Sequence, residues 1–245
     1  MKVNLYFRSF KDEKSPLITW FMPNFFDIHT IFFTLWDYPM SYLEFFGVVS
    51  GSAATWLAAR AHVWSWPIGA VSVLLFFFLF YQIQLYPDMF LQVFFFVTNL
   101  QGWWRWTHPT LGEADHRNEL RITRLVGRPL VVVLSGGFVA TFILGAFAQN
   151  LHVWFPVLFS KPSAFPYLDS FTTVMSIIGT FMMIHKKLEC WWVWLVIDMI
   201  STYMYFTKGV KLVGVEYAVF CLIAFQGAWH WTREYRSYPT QPVTH

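Results

Sequence analysis

Asn99-Leu100-Gln101-Gly102-Trp103-Trp104-Arg105-Trp106-Thr107 closes a long apolar run, and it returns as Gln226-Gly227-Ala228-Trp229-His230-Trp231-Thr232. Gln101 and Gln226 are 125 positions apart (226 − 101), as are Gly102 and Gly227, Trp104 and Trp229, Trp106 and Trp231, and Thr107 and Thr232. A glutamine in a lipid-facing apolar stretch is costly unless it finds a partner. Two of them at equivalent places point to a shared polar site.

The repeat extends backwards at the same offset. Tyr42-Leu43-Glu44 meets Tyr167-Leu168-Asp169, Phe46 meets Phe171, Thr55 meets Thr180 and Trp66 meets Trp191. Apolar segments over roughly 41–60, 64–82, 88–106, 129–149, 167–185, 191–207 and 212–232 reach or approach the ~20 residues of a bilayer-crossing helix. Each repeat holds three of them, and 129–149 lies between as a linker. Three spans alone would invert the second unit; the linker span restores its direction, so the two units are parallel. The fold expected is an all-α integral membrane protein of seven transmembrane helices in a 3+1+3 arrangement. Its parts are an N-terminal region with an interfacial helix (1–40), the first three-helix repeat (41–107), a loop and linker helix (108–165), the second repeat (166–233) and a tail (234–245).

Composition agrees. The 245 residues are 56% apolar and 13% charged, against about 25% charged in soluble domains. The runs are continuous rather than alternating, so helices and not barrel strands are expected to span. The net charge of +3 lies in loops, and no long basic run points to nucleic acid. Cys190 and Cys221 read as apolar thiols within or beside spans. No small-residue cleavage site follows the basic first 16 residues, so no removable signal peptide is expected. The stretch 17–36 is aromatic but interrupted by Pro23, Asn24, Asp27 and His29, which suits an interfacial amphipathic helix better than a span. Interval 107–128 reads as a solvated loop. Lys and Arg number ten on the side that holds Arg60, Arg105, the loop arginines, Lys186, Lys187, Arg233 and Arg236, and seven on the other. The positive-inside rule then places the C-terminus in the cytoplasm and the N-terminus outside.

Candidate site residues come from the helical stripes. Trp194, Asp198, Ser201 and Tyr205 recur at steps of four, three and four and share one face. Asp198 is near mid-span, where carboxylates are usually functional; its equivalent in the first half is Val73. Gln92, Asn99, Trp103 and Trp106 make a stripe on the third segment, with Gln101 and Trp104 on another side of it. The substrate-binding candidates are Trp66, Asn99, Gln101, Trp103, Trp194, Asp198, Tyr205, Gln226 and Trp229. Gln101 and Gln226 are read as the inner wall of the site, with a mutual lock of the repeat interface as the plainer alternative. Glu216 reads as structural and paired with Lys211. Gly47, Gly51 and Thr55, and Thr173, Ser176 and Thr180, read as helix-packing stripes. Histidines fall at helix ends, with no pair placed to hold a haem. No nucleotide loop, Cys/His metal spacing or nucleophile order appears, so no cofactor, no metal and no enzymatic chemistry is expected.

The doubled Gln-Gly-x-Trp-x-Trp ending, the Trp66/Trp191 pair and the 3+1+3 plan resemble the PnuC family of bacterial nicotinamide riboside transporters, over about 41–233. The resemblance implies a fold similar to the sugar-carrying SWEET proteins, a plan that can form homo-oligomers, and a place in the bacterial inner membrane. It implies nicotinamide riboside as substrate, moved by facilitated diffusion with alternating access and trapped by intracellular phosphorylation. The residues suit such a substrate: indole and phenol faces hold a pyridinium cation, Asp198 complements its charge, and amides pair with an amide or a diol. A phosphorylated substrate would want Arg or Lys at mid-depth, and the spans have none there. Thiamine, another aromatic cation, is the alternative cargo. A non-transporting membrane anchor subunit for haem or quinone is the alternative of a different class.

Overall fold

The computed structural model describes residues 24–35, 38–82, 86–154, 165–207 and 211–238. Their helices are α1 (Tyr42–Ala59), α2 (Ser65–Gln82), α3 (Tyr86–Thr107), α4 (Arg128–Trp154), α5 (Pro166–Ile184), α6 (Cys190–Thr207) and α7 (Lys211–Ser237). Of these, α2, α4 and α5 are long and apolar enough, by length and composition, to cross a membrane. Large apolar side chains crowd the exterior, with Val132, Phe142, Ile143 and Leu222 each more than 60% exposed, as suits a multi-pass helical protein with lipid for solvent.

Local chemistry sets the helix starts. Ser41 accepts from the backbone N–H of Glu44 at 3.2 Å, so Ser41-Tyr42-Leu43-Glu44 opens α1 with the Ser-x-x-Glu pattern of a capping box. Pro166 occupies the first turn of α5, where its missing N–H costs nothing. Both α1 and α5 end on a left-handed residue, Ala61 (φ 54°) and Lys186 (φ 44°), again 125 positions apart.

The packing repeats with the sequence. Helices α1, α2 and α3 pack consecutively, and α5, α6 and α7 do likewise. Helix α1 touches α7, and α3 touches α5. Two indoles make the same bond in each direction across that seam. Trp106 Nε1 donates to the carbonyls of Met183 and Ile184, at 3.1 Å each. Trp231 Nε1 donates to the carbonyl of Ala58 at 3.0 Å. Ala58 and Met183 are themselves 125 apart (183 − 58). Trp66, Trp106, Trp231 and Trp191 form a chain of ring contacts with centroids 5.3, 5.9 and 5.6 Å apart. This cluster marks one end of the bundle, called here the Trp-rich end. Helix α4 packs on α5 and otherwise presents an exposed apolar surface.

Two expectations are corrected. The interfacial helix over 17–36 is not formed in its described part: Asn24–Phe26 is a 3-10 turn, and β1 (Ile31–Leu35) pairs antiparallel with β2 (Tyr38–Ser41). Asp27 closes a tight turn by accepting from the N–H of His29. The β-branched and aromatic run that follows favours a strand. Gln82 clamps this region to α2: it accepts from the N–H of Ile28 and donates to the carbonyl of Phe26. Trp20, Trp36, Lys161 and Lys208 lie outside the described residues, as does the side chain of Lys211 expected to pair with Glu216.

The interval 107–128 is not a freely solvated loop. Leu120 and Ile122 are buried in the main apolar cluster. Thr123 donates its N–H to the carbonyl of Lys186 and accepts at its own carbonyl from the N–H of Leu188, and Glu189 accepts from Arg124 Nε at 2.9 Å and from the N–H of Leu125 at 2.7 Å. The fully buried Lys186 lies 4.3 Å above the Trp106 ring and 3.5 Å from Glu119; burial lowers its pKa, against the pull of Glu119. At the exposed rim, hydrogen bonds from Thr110 and Arg105 hold the Glu113 carboxyl down at about 2. Asp115, His116 and Glu234 bring ligand atoms within 4.8 Å of one another. Arg117 pairs with both carboxylates, however, so the group reads as an ion-pair network. Glu189→Ala should lower stability by about 1–3 kcal/mol, because it strands the Leu125 N–H and the Arg124 guanidinium. Thermal melts of the purified protein would show the loss; an unchanged melt means the loop is not held this way.

Candidate functional site

A cavity of about 310 Å³ lies between helices α1–α3 on one side and α5–α7 on the other. Its wall is built from equivalent positions: Thr55 and Thr180, Ala58 and Met183, Trp66 and Trp191, Val73 and Asp198, Phe95 and Phe220, Asn99 and Ala224. Each pair differs by 125 in number. The substitutions within these pairs make the wall asymmetric. The second unit supplies the carboxylate, and the first supplies the carboxamide.

Backbone proximity places the side chains. Gly69 faces Asn99, and a methyl group there would overlap the Asn99 Oδ1. Asn99 Nδ2 donates to the carbonyl of Phe95 at 2.8 Å, which fixes its amide orientation. Trp194 lies against Gly179 of α5, whose added Cβ would sit 3.2 Å from the indole Nε1. Asp198, one turn further along α6, is 5% exposed, and no cation pairs with it among the described residues.

Of the residues singled out from the sequence, Trp66, Asn99, Trp194 and Asp198 line the cavity. Tyr205 stands behind the wall, stacked at 5.3 Å and 10° on Tyr217, which lines it. Gln101, Trp103, Gln226 and Trp229 do not line it; all four are exposed on the outer surface. The reason lies in the helical period. Gly102 packs against the Trp66 ring, and Gly227 against Trp191, so these glycines define the inward faces of α3 and α7. At 100° per residue, Gln101 and Trp103 turn away on either side of Gly102. Phe95, Thr98, Asn99 and Trp106 fall on the inward arc instead. Of the small-residue stripes, Gly47 packs on its neighbour, with Ser72 Oγ donating to its carbonyl at 2.8 Å across α1 and α2, whereas Gly51, Thr55 and Thr180 line the cavity and Thr173 is exposed.

Sequence reading passed over Ser65, Thr98, Trp191 and Tyr217 as site residues, although all four line the cavity. Trp191 had a usable signal, since it is the equivalent of Trp66. Tyr217 had none, because its counterpart is Gln92.

Among the described residues, six buried side-chain polar atoms lack a hydrogen-bond partner, and four of them belong to residues of the wall: Ser65 Oγ and the Nε1 atoms of Trp66, Trp191 and Trp194. Each orphaned buried donor costs about 1–3 kcal/mol. The wall itself holds a carboxylate with no cation beside it among the described residues, which suits a ligand that brings a positive charge. Three indole faces suit a flat cationic ring. Among the described lining residues there is neither Lys nor Arg.

The family described as nicotinamide mononucleotide transporter matches residues 41–233. The chain is 32% identical, over 85% of its length and 92% of the relative's, to the nicotinamide riboside transporter PnuC of Escherichia coli. It is 24% identical, over 81% and 88%, to the riboflavin/roseoflavin transporter RibM of Streptomyces davaonensis. A crystal structure of the vitamin B3 transporter PnuC superimposes with a TM-score of 0.60 at 22% identity, covering 81% of this chain and 83% of the other.

Proposed function

The chain belongs to the nicotinamide mononucleotide transporter family, and from that premise we propose that it carries nicotinamide riboside across the bacterial inner membrane. It is a transporter and not an enzyme. Nicotinamide riboside is a pyridinium cation with an amide and ribose hydroxyls. The observation that carries the reading is the cavity: among the described residues its wall holds Asp198 without a cationic partner, three indoles and no basic side chain. Trp66, Trp191 and Trp194 would face the ring, Asp198 its charge, and Asn99 its amide or diol.

The same wall argues between riboside and mononucleotide. A phosphate taken out of water needs a cation or several donors, and the described residues of the wall offer no cation. The family's description and the physical chemistry of this cavity therefore diverge, and the cavity favours the dephosphorylated form. Its volume is at the low end of ligand sites, which suits one aromatic ring better than the three fused rings of riboflavin.

The plan that supports transport is seven spans as 3+1+3, with α1–α3 and α5–α7 as parallel units and α4 as linker. The reciprocal Trp106 and Trp231 bonds and the paired cavity wall support it. The cavity between the two units would open to each side of the membrane in turn, by alternating access and without ion or nucleotide coupling. The Trp-rich end, with its basic loop, would face the cytoplasm. Intracellular phosphorylation would then trap a product that this wall rejects.

Calorimetric titration of purified protein tests the cargo. Nicotinamide riboside should bind at least about 100-fold more tightly than the mononucleotide, the scale expected for an uncompensated buried charge. Thiamine and riboflavin should bind more weakly than the riboside. Preference for thiamine would overturn the cargo, and tight binding of the mononucleotide would overturn the charge argument.

A further inference from the structure

A carrier must open its cavity at each end in turn, and the inference below rests on the carrier reading. The Trp-rich end holds two clasps that are equivalent in sequence and unequal in surroundings. One joins α1 to α7 through Trp231 Nε1 and the Ala58 carbonyl. The other joins α3 to α5 through Trp106 Nε1 and the carbonyls of Met183 and Ile184. Ala58 and Met183 both line the cavity, so parting either clasp would uncover it.

The loop between α3 and α4 reinforces only one of them. Its Leu120 N–H donates to the carbonyl of Trp106 at 2.9 Å, and its Thr123 N–H to that of Lys186 at 2.9 Å. Its Arg124 and Leu125 hold Glu189 at the start of α6. It also reaches α7, through Arg117 to Glu234 and through the Ile122 N–H to Tyr238 Oη. Helices α3 and α7 and the α5–α6 turn are thereby stitched together. The α1–α2 corner is not: among the described residues, none of the loop's hydrogen bonds or ion pairs reaches positions 57–64. There the first unit has Ala61 where the second has Lys186, and Trp64, 60% exposed, where the second has Glu189.

We propose that the transport route opens at the Trp-rich end by departure of the α1–α2 corner, with Ala58 leaving Trp231, while α3, α7 and the α5–α6 turn stay together. At the seam this movement breaks one hydrogen bond, together with ring contacts and the packing of Ala58, Ala59 and Ala61 in the main apolar cluster. On the other side, the clasp and the loop would have to yield together.

Equivalent cysteines test it. In a Cys221→Ser background, with Cys190 retained because it is fully buried, Ala58→Cys and Met183→Cys are compared. A membrane-impermeant maleimide is applied to the face bearing the loop. Ala58→Cys should be labelled at least about tenfold faster than Met183→Cys. Trp231→Phe, which keeps a ring and removes the donor, should raise labelling of Ala58→Cys by about fivefold, the worth of one hydrogen bond. Trp106→Phe should leave Met183→Cys within about twofold, because the loop still holds it. Equal rates, or faster labelling at position 183, would overturn the assignment. Uptake of nicotinamide riboside by the parent chain is measured in the same vesicles. Loss of that uptake counts against the carrier reading, whereas equal labelling with intact uptake counts only against the corner.

Discussion

Asp198→Asn raises the dissociation constant for nicotinamide riboside by about 10–100-fold and leaves the melting temperature of the ligand-free protein unchanged or higher. The range follows from the 1.5–3 kcal/mol typical of a hydrogen bond to a charged group, with about 1.4 kcal/mol per tenfold. Asparagine keeps the shape and removes the charge. In the ligand-free protein the carboxylate sits in a largely apolar wall with no cation beside it. Removing an unpaired buried charge is neutral or stabilising. The bound pyridinium would supply the missing partner, so the loss should appear only on binding. Nicotinamide, which has the amide and the ring without the charge, is the control: its affinity should change by less than about threefold. Asp198→Glu should recover part of the binding. Wild-type affinity with a lowered melting temperature would make Asp198 a packing residue and remove the main electrostatic support for a cationic cargo.

Sequence patterns made the helices legible because apolar length is a strong, local signal. Every expected segment lies within a few residues of a described helix, except the N-terminal one. There a helix was expected from polarity alone, while the β-branched run at Ile31–Leu35 and the turn at Asp27 carried the better information. The site was only partly legible. Asp198 and Asn99 could be found because polar groups are rare in spans. Gln101 and Gln226 were the most conspicuous by the same criterion, yet they point outward. Their repetition reflects the glycine beside each: Gly102 and Gly227 had to recur for the two tryptophans to pack, and each fixes which neighbours turn away. The burial of Lys186 could not be read at all. A lysine in a short turn normally reaches water, and its enclosure depends on Leu120, Ile122 and Glu119 returning from a loop more than 60 positions earlier in the chain.

Those glycines carry the second large effect. Gly102→Ala and Gly227→Ala should each destabilise the protein by about 1–3 kcal/mol, the usual cost of overpacking, and should each depress uptake. A methyl group at position 227 would lie 2.6 Å from Trp191 Cδ2, and one at position 102 would overlap the Trp66 ring. Towards the seam neither indole has room to yield. Trp66 meets Trp106 edge-on at 88°, and Trp191 meets Trp231 at 84°. Trp106 and Trp231 are in turn held by their bonds across the seam. The displaced ring would therefore move towards the cavity, whose wall Trp66 and Trp191 form. Binding and stability should fall together, unlike the Asp198 case. Helix propensity works against this outcome, since alanine is favoured over glycine by about 1 kcal/mol in a helix interior, and Gly136→Ala calibrates that gain. Position 136 of α4 has nothing within 4 Å of an added Cβ, so its substitution should be neutral or stabilising. Melting temperatures of the three variants decide the matter. If Gly102→Ala and Gly227→Ala melt like Gly136→Ala, the close approach of the helices to the tryptophans is wrong, and with it the account of why the motif occurs twice.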